Sequence, residues 1–219
     1  MKSPTKAEPK TAAKPKRKPT KPGLGARKGP EFERTVCKLL SNWLSDGKSQ
    51  DLLWRSAASG ARSTTRAKAT SIGIADSAGD ISAISSEARV FTSTFCIECK
   101  SYNDLLIQQL HYGKLQWEST RIGGWWKQVT RDASSVNKLP LLIVKGNGTD
   151  ILVVMQEPVY NVWLGHVSDS TEDFRAPVAE FPALRICVMR LETFFRLRSA
   201  DMESFTCRIK PKAARRFLT

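Results

Sequence analysis

The first regular pattern along the chain is an apolar one with helical spacing. After Glu31, large apolar side chains return every three or four residues, at Phe32, Val36, Leu39, Leu40, Trp43 and Leu44. This spacing predicts an amphipathic helix. Pro30 suits the first turn, where a missing N–H costs little, and Gly47 suits the end. Folding is therefore expected to begin at Gly29-Pro30.

Shorter apolar runs predict the strands of a sheet. Strands are expected at 52–55, 81–84, 90–100, 139–145, 151–155 and 184–190. Gly146-Asn147-Gly148 separates two of these runs and is typical of a hairpin. Helices are predicted over 117–136, where Gly123-Gly124 delays the start, and over 191–198. This order of elements predicts a mixed α/β sheet with helices on its faces.

Two polar stretches fall outside this pattern. Residues 1–28 contain five prolines, many lysines and almost no large apolar side chain. They cannot bury enough surface to offset the entropy of ordering, so we predict that they are disordered. Residues 56–78 are rich in Ser, Thr, Ala and Arg and predict a mobile basic loop. We therefore divide the chain into a basic tail (1–28), a core (29–156) and a C-terminal extension packed on the core (157–219).

The composition argues against several classes of protein. Apolar residues make up 41% of the chain, which is ordinary for a globular domain, and no apolar run is long enough to cross a bilayer. No secretion signal is recognisable at the N-terminus. The five cysteines are widely spread and odd in number, which favours reduced thiols in the cytoplasm. Cys96 and Cys99 lie three positions apart on a predicted strand, so their side chains diverge and zinc is not expected.

Positive charge is concentrated at the N-terminus. The formal net charge is +14, of which residues 1–28 carry +9, from ten Lys or Arg against one acid. Residues 29–219 carry only +5. A polyanionic partner such as DNA is the natural inference, because Lys and Arg release counterions when they bind phosphates. A solvated tail or a localisation signal would account for the same basic leader.

Three polar residues interrupt the predicted sheet in a pattern that suits phosphate chemistry. Asp80 opens one strand, and Glu98 and Lys100 project from the same face of another. If 81–84 pairs with 95–100 as a hairpin, Asp80 lies close to Glu98. Paired carboxylates hold Mg²⁺, with Mn²⁺ as a possible substitute, and a neighbouring lysine stabilises charge on an attacked phosphodiester. The alternative is a turn residue at Asp80 and a surface ion pair between Glu98 and Lys100.

The order of these motifs resembles the PD-(D/E)XK nuclease superfamily, and most closely its archaeal-type Holliday junction resolvase branch. The matching segments, within residues 29–145, are Gly29-Pro30-Glu31-Phe32-Glu33-Arg34, Arg55-Ser56-Ala57-Ala58-Ser59-Gly60, Asp80-Ile81 and Glu98-Cys99-Lys100-Ser101. The resemblance implies a restriction-endonuclease-like fold and a metal-dependent DNA endonuclease. It also implies Glu33 as a further acid at the metal site, Ser59 as an active-site hydroxyl and Gln128 as a catalytic residue.

The resemblance also suggests a substrate and an assembly. Branched DNA is the favoured substrate, and a homodimer would place two active sites on two strands. We expect DNA contacts from five basic residues, which are Arg55, Arg62, Arg66, Lys68 and Lys127. Three features depart from compact resolvases: a longer insertion between Gly60 and Gly79, a long connection from Asp80 to Glu98, and a region beyond Val154 without a counterpart.

Several functions fit these residues. A restriction or repair nuclease would act on duplex DNA, and an RNA-processing nuclease would use the same chemistry. A non-catalytic DNA-binding protein, from a different class, would keep the fold only as a scaffold. Such a scaffold has no need for acids that face a polyanion, so the full set of three acids and a lysine favours catalysis. The tryptophans at 117, 125, 126 and 163 are expected in core or dimer packing more than in base stacking.

Overall fold

The structure, a computed structural model, describes residues 24–56, 78–103, 117–167, 179–181 and 184–214. Its helices are α1 (Leu24–Leu44), α2 (Arg89–Thr94), α3 (Arg121–Ser135), α4 (Glu157–Val167), α5 (Leu191–Phe194) and α6 (Met202–Ala214). Its strands are β1 (Leu53–Arg55), β2 (Ile81–Ala83), β3 (Phe95–Ser101), β4 (Leu139–Lys145), β5 (Ile151–Gln156), β6 (Ala179–Phe181) and β7 (Ile186–Arg190). Short 3₁₀ helices, Trp117–Ser119 and Ser199–Asp201, precede α3 and α6.

Five strands form one mixed sheet, in the order β3-β4-β5-β7-β6. β3 and β4 run parallel, with Glu98 opposite Leu142, and the other neighbours are antiparallel. β4 is buried along all but its last residue, as expected of a strand covered on both faces. The predicted α/β class and the predicted β4–β5 hairpin are therefore confirmed.

Helices cover both faces of this sheet. On one face, α1, α2, α4 and α6 pack against residues such as Ile97 of β3. On the other face, α3 packs against the alternate residues, such as Leu142 of β4. Cys99 belongs to the first cluster and Cys96 to the second. Their side chains therefore diverge, as the alternation of a strand predicts.

The first helix starts earlier than the apolar pattern predicts. α1 begins at Leu24, before the expected start at Gly29-Pro30, and contains Pro30. Ala, Arg and Lys at 26–28 are strong helix formers, which favours a helix that begins before Pro30. The predicted apolar face is confirmed, since it buries Phe32, Val36, Leu40 and Trp43. Residues 1–23 of the predicted tail lie outside the described ranges.

Residues 90–94, predicted as the start of a strand, are helical. They lie in α2, and β3 begins only at Phe95. The helical turn brings the rings of Phe91 and Phe95 to 5.3 Å between centroids, and Phe91 meets Trp43 of α1 edge-on at 5.6 Å. The Thr94 hydroxyl donates to a carbonyl one turn back at 2.8 Å. Aromatic packing and local hydrogen bonding thus outweigh the strand preference of these β-branched residues.

The predicted hairpin between 81–84 and 95–100 is wrong. β2 pairs instead with β1 in a separate antiparallel ribbon, in which Trp54 lies opposite Ser82. β3 takes β4 as its neighbour. The chain between β2 and β3 forms α2, which packs into the aromatic core and leaves no tight turn to join the two strands.

The C-terminal region contains elements that the apolar pattern does not predict. These are α4, α6 and the edge strand β6. The apolar residues of α4 are spread over most of its sides, so it lacks the alternation of an amphipathic helix. The predicted strand at 184–190 and helix at 191–198 are present in shorter form, as β7 and α5. The division of the chain at residue 156 stays a prediction. None of the helices in the described ranges is both long and apolar enough to span a membrane.

Candidate active site

β3 presents Glu98 and Lys100 on the face of the sheet that α3 covers. Glu98 is buried, with 5% of its surface exposed, and Lys100 is half-buried. The Lys100 Nζ donates to Glu98 Oε1. The Gln128 Nε2, from α3, donates to the same oxygen at 3.1 Å. One strand and the helix beside it therefore bring together three of the residues predicted as catalytic.

Asp80 reaches the same strand from outside the sheet. Its backbone N–H donates to the Ile97 carbonyl at 2.7 Å, and its Oδ2 accepts from the Cys99 N–H at 2.9 Å. Asp80 is itself buried. The structure thus places Asp80 beside β3, but through a single parallel bridge between Gly79 and Ile97 and not through a hairpin.

Gly79 makes this close approach possible. Its φ is +89°, in the region that favours glycine. A Cβ at this position would lie 2.5 Å from the Ile97 carbonyl oxygen and 2.8 Å from the Ile97 nitrogen. Any side chain at 79 would therefore push the backbone away from β3 and carry Asp80 with it.

Glu33 enters the region from α1. Its carboxylate accepts from the Nε of Arg55 in β1, and the exposed fractions of the two side chains are 11% and 24%. The Ser41 hydroxyl oxygen accepts from the N–H of Leu53 at 3.0 Å, which ties α1 to the start of β1. This packing places Glu33 close enough to Asp80 for the charge of Glu33 to raise the pKa of Asp80 slightly.

Glu33 does not join Asp80 and Glu98 in a single cluster of metal ligands. Across the described residues, no three or more His, Cys, Asp or Glu side chains converge as possible metal ligands. The charge of Glu98 raises the pKa of Asp80, whereas Glu33 forms an ion pair with Arg55. The predicted set of three acids is therefore gathered as a pair with a third acid nearby.

Burial and crowded negative charge raise the pKa of Asp80 to about 7 from its ordinary value of 3.8. Burial is the larger cause and the Glu98 carboxylate the next, while the Cys99 N–H and Lys100 act in the opposite direction. Burial alone would lower the pKa of Lys100, but its hydrogen bond to Glu98 and the charges of Glu98 and Asp80 raise that pKa overall. Lys100 is therefore a protonated cation at neutral pH.

The cysteines next to these acids are unsuited to chemistry. Burial raises the pKa of Cys37 to about 12 and the pKa of Cys99 well above its ordinary value. Only the thiolate is a good nucleophile or metal ligand. Protonated, buried thiols leave the oxygen and nitrogen groups to carry any reaction here.

The donor set suits a hard divalent cation. The raised pKa of Asp80 means that burial, together with the charge of Glu98, outweighs the compensation from the Cys99 N–H and Lys100. Mg²⁺ is typically held by one or two carboxylates, with waters and substrate phosphates completing its shell. Asp80 and Glu98 fit that requirement, and a cation between them would relieve the repulsion that favours a proton on Asp80.

The other predicted residues occupy varied positions. Lys127 is exposed on α3, next to Gln128 in sequence. Arg55 is half-buried and binds Glu33. Four further predicted residues fall within 57–77, outside the described residues: Ser59, Arg62, Arg66 and Lys68.

Most of the tryptophans belong to the core, as predicted. Trp117, Trp126 and Trp163 are buried. Trp125 is only half-buried and meets the ring of Tyr102 with centroids 6.2 Å apart. Tyr102 and its other neighbour, Arg121, were not among the predicted site residues. Helical spacing was the available signal, because positions 121, 125 and 128 lie along one stripe of a helix.

A mixed α/β sheet that presents an E-x-K pair on one strand, with an aspartate beside it, defines the PD-(D/E)XK class of nucleases. The model of a family in this class, described as "Phage putative PDDEXK endonuclease", matches residues 25–203, and the chain belongs to that family. No curated protein and no solved structure matches the chain significantly. The family match supports a nuclease in general and does not distinguish the resolvase branch.

Proposed function

We propose that the protein is an Mg²⁺-dependent endodeoxyribonuclease, with Mn²⁺ as a possible substitute, whose catalytic centre contains Asp80, Glu98 and Lys100. The observation that carries this proposal is the pair of buried carboxylates, Asp80 and Glu98, beside the protonated Lys100. Burial and the charge of Glu98 raise the pKa of Asp80 to about 7. Burying an ion costs several kcal/mol unless another group compensates it. A cation and a phosphate arriving together would supply that compensation.

Each residue has a separate role in this proposal. Asp80 and Glu98 hold the cation, which when bound supplies positive charge to the attacked phosphate and lowers the pKa of a coordinated water. Lys100 donates to the phosphate oxygens and stabilises their developing charge. It is not the general base, since its raised pKa keeps it protonated. Gln128 orients the Glu98 carboxylate through its hydrogen bond.

Residues around the centre complete the proposed site. Glu33 is a third carboxylate at the metal site once Arg55 exchanges its ion pair with Glu33 for a DNA phosphate. Lys127 contributes a contact to the DNA backbone from the exposed side of α3. The remaining proposed contacts come from the polar stretch between β1 and β2, with Ser59 as an active-site hydroxyl and Arg62, Arg66 and Lys68 on DNA.

The proposed substrate is branched DNA, cut by a homodimer in the cytoplasm. The support is the order of the four resolvase-like motifs, at 29–34, 55–60, 80–81 and 98–101. The net charge of +14 favours a polyanion but does not select a DNA shape. Two equivalent sites in a homodimer would suit a junction in which two strands are cut.

The test is cleavage of end-labelled four-way junction, linear duplex, single-stranded DNA and duplex RNA, with Mg²⁺ and with EDTA. We expect Mg²⁺-dependent cleavage of DNA, fastest on the junction. Asp80→Asn purified in the same way controls for contaminating nucleases. Equal rates on junction and duplex would replace junction selectivity with a restriction or repair activity. Binding to every DNA form without cleavage in Mg²⁺ or Mn²⁺ would favour a non-catalytic scaffold.

A further inference from the structure

A cation–aromatic cluster lies at the end of β3, just beyond the proposed catalytic residues. The Arg121 guanidinium lies over the Tyr102 ring, 4.2 Å from its centroid. Trp125 meets the same ring edge-on, with centroids 6.2 Å apart and planes at 66°. The backbone N–H of Tyr102 donates to the Lys145 carbonyl at 2.9 Å, so Tyr102 continues the pairing of β3 with β4. We call Tyr102, Arg121 and Trp125 the Tyr102 cluster.

The cluster and the proposed catalytic residues share one row. Alternate residues of a strand point to the same face, so Tyr102 continues the line of Glu98 and Lys100. The stripe of α3 that contacts this line holds Gln128 on Glu98 and, about two turns earlier, Arg121 on Tyr102. At about 3.3 Å per strand residue, Tyr102 lies about 7 Å beyond Lys100. A strand bound at Lys100 would therefore pass the cluster.

Among the described residues, the contact of the Arg121 side chain is with the face of the Tyr102 ring, which does not use its N–H donors. Arg121 is exposed, and within the described chain no carboxylate pairs with it, whereas Arg185, Arg190 and Arg198 each have an acid partner. A guanidinium over an aromatic ring keeps N–H groups free for an anion, and the ring restricts where that anion can bind. Arg121 is also the first residue of α3, at the positive end of the helix dipole. The expected ligand is an oxyanion.

We propose that the Tyr102 cluster is a phosphate-binding subsite for the DNA strand that passes the active site. Arg121 binds a backbone phosphate, and Tyr102 and Trp125 act as positioning residues that hold its guanidinium. The subsite lies about 7 Å along the row from Lys100 and about 13 Å from Glu98. This inference rests on the proposed nuclease function and specifies how that site holds its substrate.

The first test compares two arginines of the same helix. Arg121→Gln and Arg131→Gln each remove one exposed positive charge from α3. The Arg131 Nε lies 3.6 Å from the Asp132 Oδ1, and Arg131 is remote from Tyr102 along the helix. Binding to labelled DNA is measured in EDTA by fluorescence anisotropy across a salt series. We expect Arg121→Gln to weaken binding about tenfold and to reduce the slope of log affinity against log salt by about 0.9. Arg131→Gln should leave the slope unchanged, and equal slopes for both variants would overturn the proposal.

The second test locates the phosphate. Neutral methylphosphonates replace one backbone phosphate at a time on both sides of the cut position. One substitution should weaken binding of the wild-type protein about tenfold and have no effect on Arg121→Gln, because the two changes remove the same contact. If every substitution weakens both proteins equally, Arg121 binds no defined phosphate and the proposal fails.

The positioning role of the ring has its own control. Tyr102→Phe keeps the aromatic face and should bind like the wild type, whereas Tyr102→Leu should lose part of the affinity that Arg121→Gln loses. Circular dichroism confirms that each variant is folded. A wild-type protein that binds DNA but does not cut it would defeat the proposed nuclease and leave the binding tests decisive for Arg121. A wild-type protein that cuts DNA while Arg121→Gln binds normally would defeat only the subsite.

Discussion

The proposed active site has two halves, and their buried carboxylates are compensated differently. The α3 half contains Glu98, Lys100 and Gln128, and the Gly79 half contains Gly79 and Asp80. In the α3 half, Glu98 accepts hydrogen bonds from both Lys100 and Gln128. In the Gly79 half, the carboxylate of Asp80 accepts one hydrogen bond within the described chain, from the Cys99 N–H. Burial and the charge of Glu98 therefore raise the pKa of Asp80 to about 7. Glu98 therefore has two side-chain partners, whereas the charge of Asp80 is less well compensated. Under the proposed function, a bound cation would supply the remaining compensation.

The largest expected effect comes from removing either acid. Asp80→Asn and Glu98→Gln should each reduce the cleavage rate by at least about a thousandfold, because each removes a ligand of the proposed cation. Binding of DNA in EDTA should stay the same or become tighter, since a negative charge facing the phosphate is lost. Single-turnover cleavage and anisotropy measure the two properties separately.

Lys100→Ala serves as the contrasting variant. It should also stop cleavage, but it removes a positive charge and so should not tighten DNA binding. A rate for Asp80→Asn in Mg²⁺ equal to that of the wild type would remove Asp80 from the site. Tighter binding by Lys100→Ala would instead show that the DNA does not approach this lysine.

The backbone contact that builds the Gly79 half gives the next largest effect. Gly79→Ala should destabilise the protein by about 3 kcal/mol and abolish cleavage, because its Cβ would overlap the Ile97 carbonyl at 2.5 Å. Gly47→Ala is a matched control, since Gly47 has a similar φ of +84° but no atom within 4 Å of the added Cβ. It should cost only about 1 kcal/mol of backbone strain and leave cleavage intact. Urea denaturation measures both, and equal losses would mean that the close approach to β3 is unimportant.

The same contrast explains how much of the site the sequence predicts. Glu98 and Lys100 share a face because they are two residues apart on a strand, which is a local rule that needs no knowledge of the fold. The position of Asp80 depends on a bridge between Gly79 and Ile97 that spans α2. The predicted closeness of Asp80 to β3 is therefore right, but the hairpin from which it was predicted does not exist.

The fold divides in the same way. Helical periodicity predicted α1 and α3, and continuous apolar runs predicted β4 and β5, because one pattern dominates each segment. Residues 90–94 were predicted as strand from their local preference. They are helical because the packing of Phe91 against Trp43 outweighs that preference. α4 was missed for a related reason, since its apolar residues occupy most of its sides and give no periodic signal.

The raised pKa of Asp80 predicts a pH dependence of stability in the metal-free protein. The folded-state pKa is about 7 and the ordinary value is 3.8, so between these values the folded protein keeps a proton that the unfolded chain has lost. Raising the pH through this window should therefore destabilise the wild type. Asp80→Asn cannot ionise and should gain about 2–3 kcal/mol relative to the wild type between pH 5 and pH 8.

The measurement is urea denaturation of both proteins in EDTA at the two pH values. Contributions from groups remote from Asp80 cancel in the difference, provided that Asn still accepts from the Cys99 N–H. Repeating it with Mg²⁺ sharpens the comparison, because a cation bound to Asp80 should reduce the loss of wild-type stability at pH 8. A constant difference between the two proteins from pH 5 to pH 8 would show that Asp80 does not lose its proton within this range.

The smallest expected effects separate orientation from DNA contact within α3. Gln128→Leu removes a hydrogen bond to Glu98 and should lower the single-turnover rate about tenfold without changing the salt slope of DNA binding, because no charge is lost. Its neighbour Lys127 is exposed, and Lys127→Gln should show the reverse, with the slope reduced by about 0.9 and the rate at saturating protein unchanged. If Gln128→Leu cuts at the wild-type rate, Lys100 alone suffices to hold Glu98. Glu98 would then need no partner from α3, and its contrast with Asp80 would depend on the hydrogen bond from Lys100.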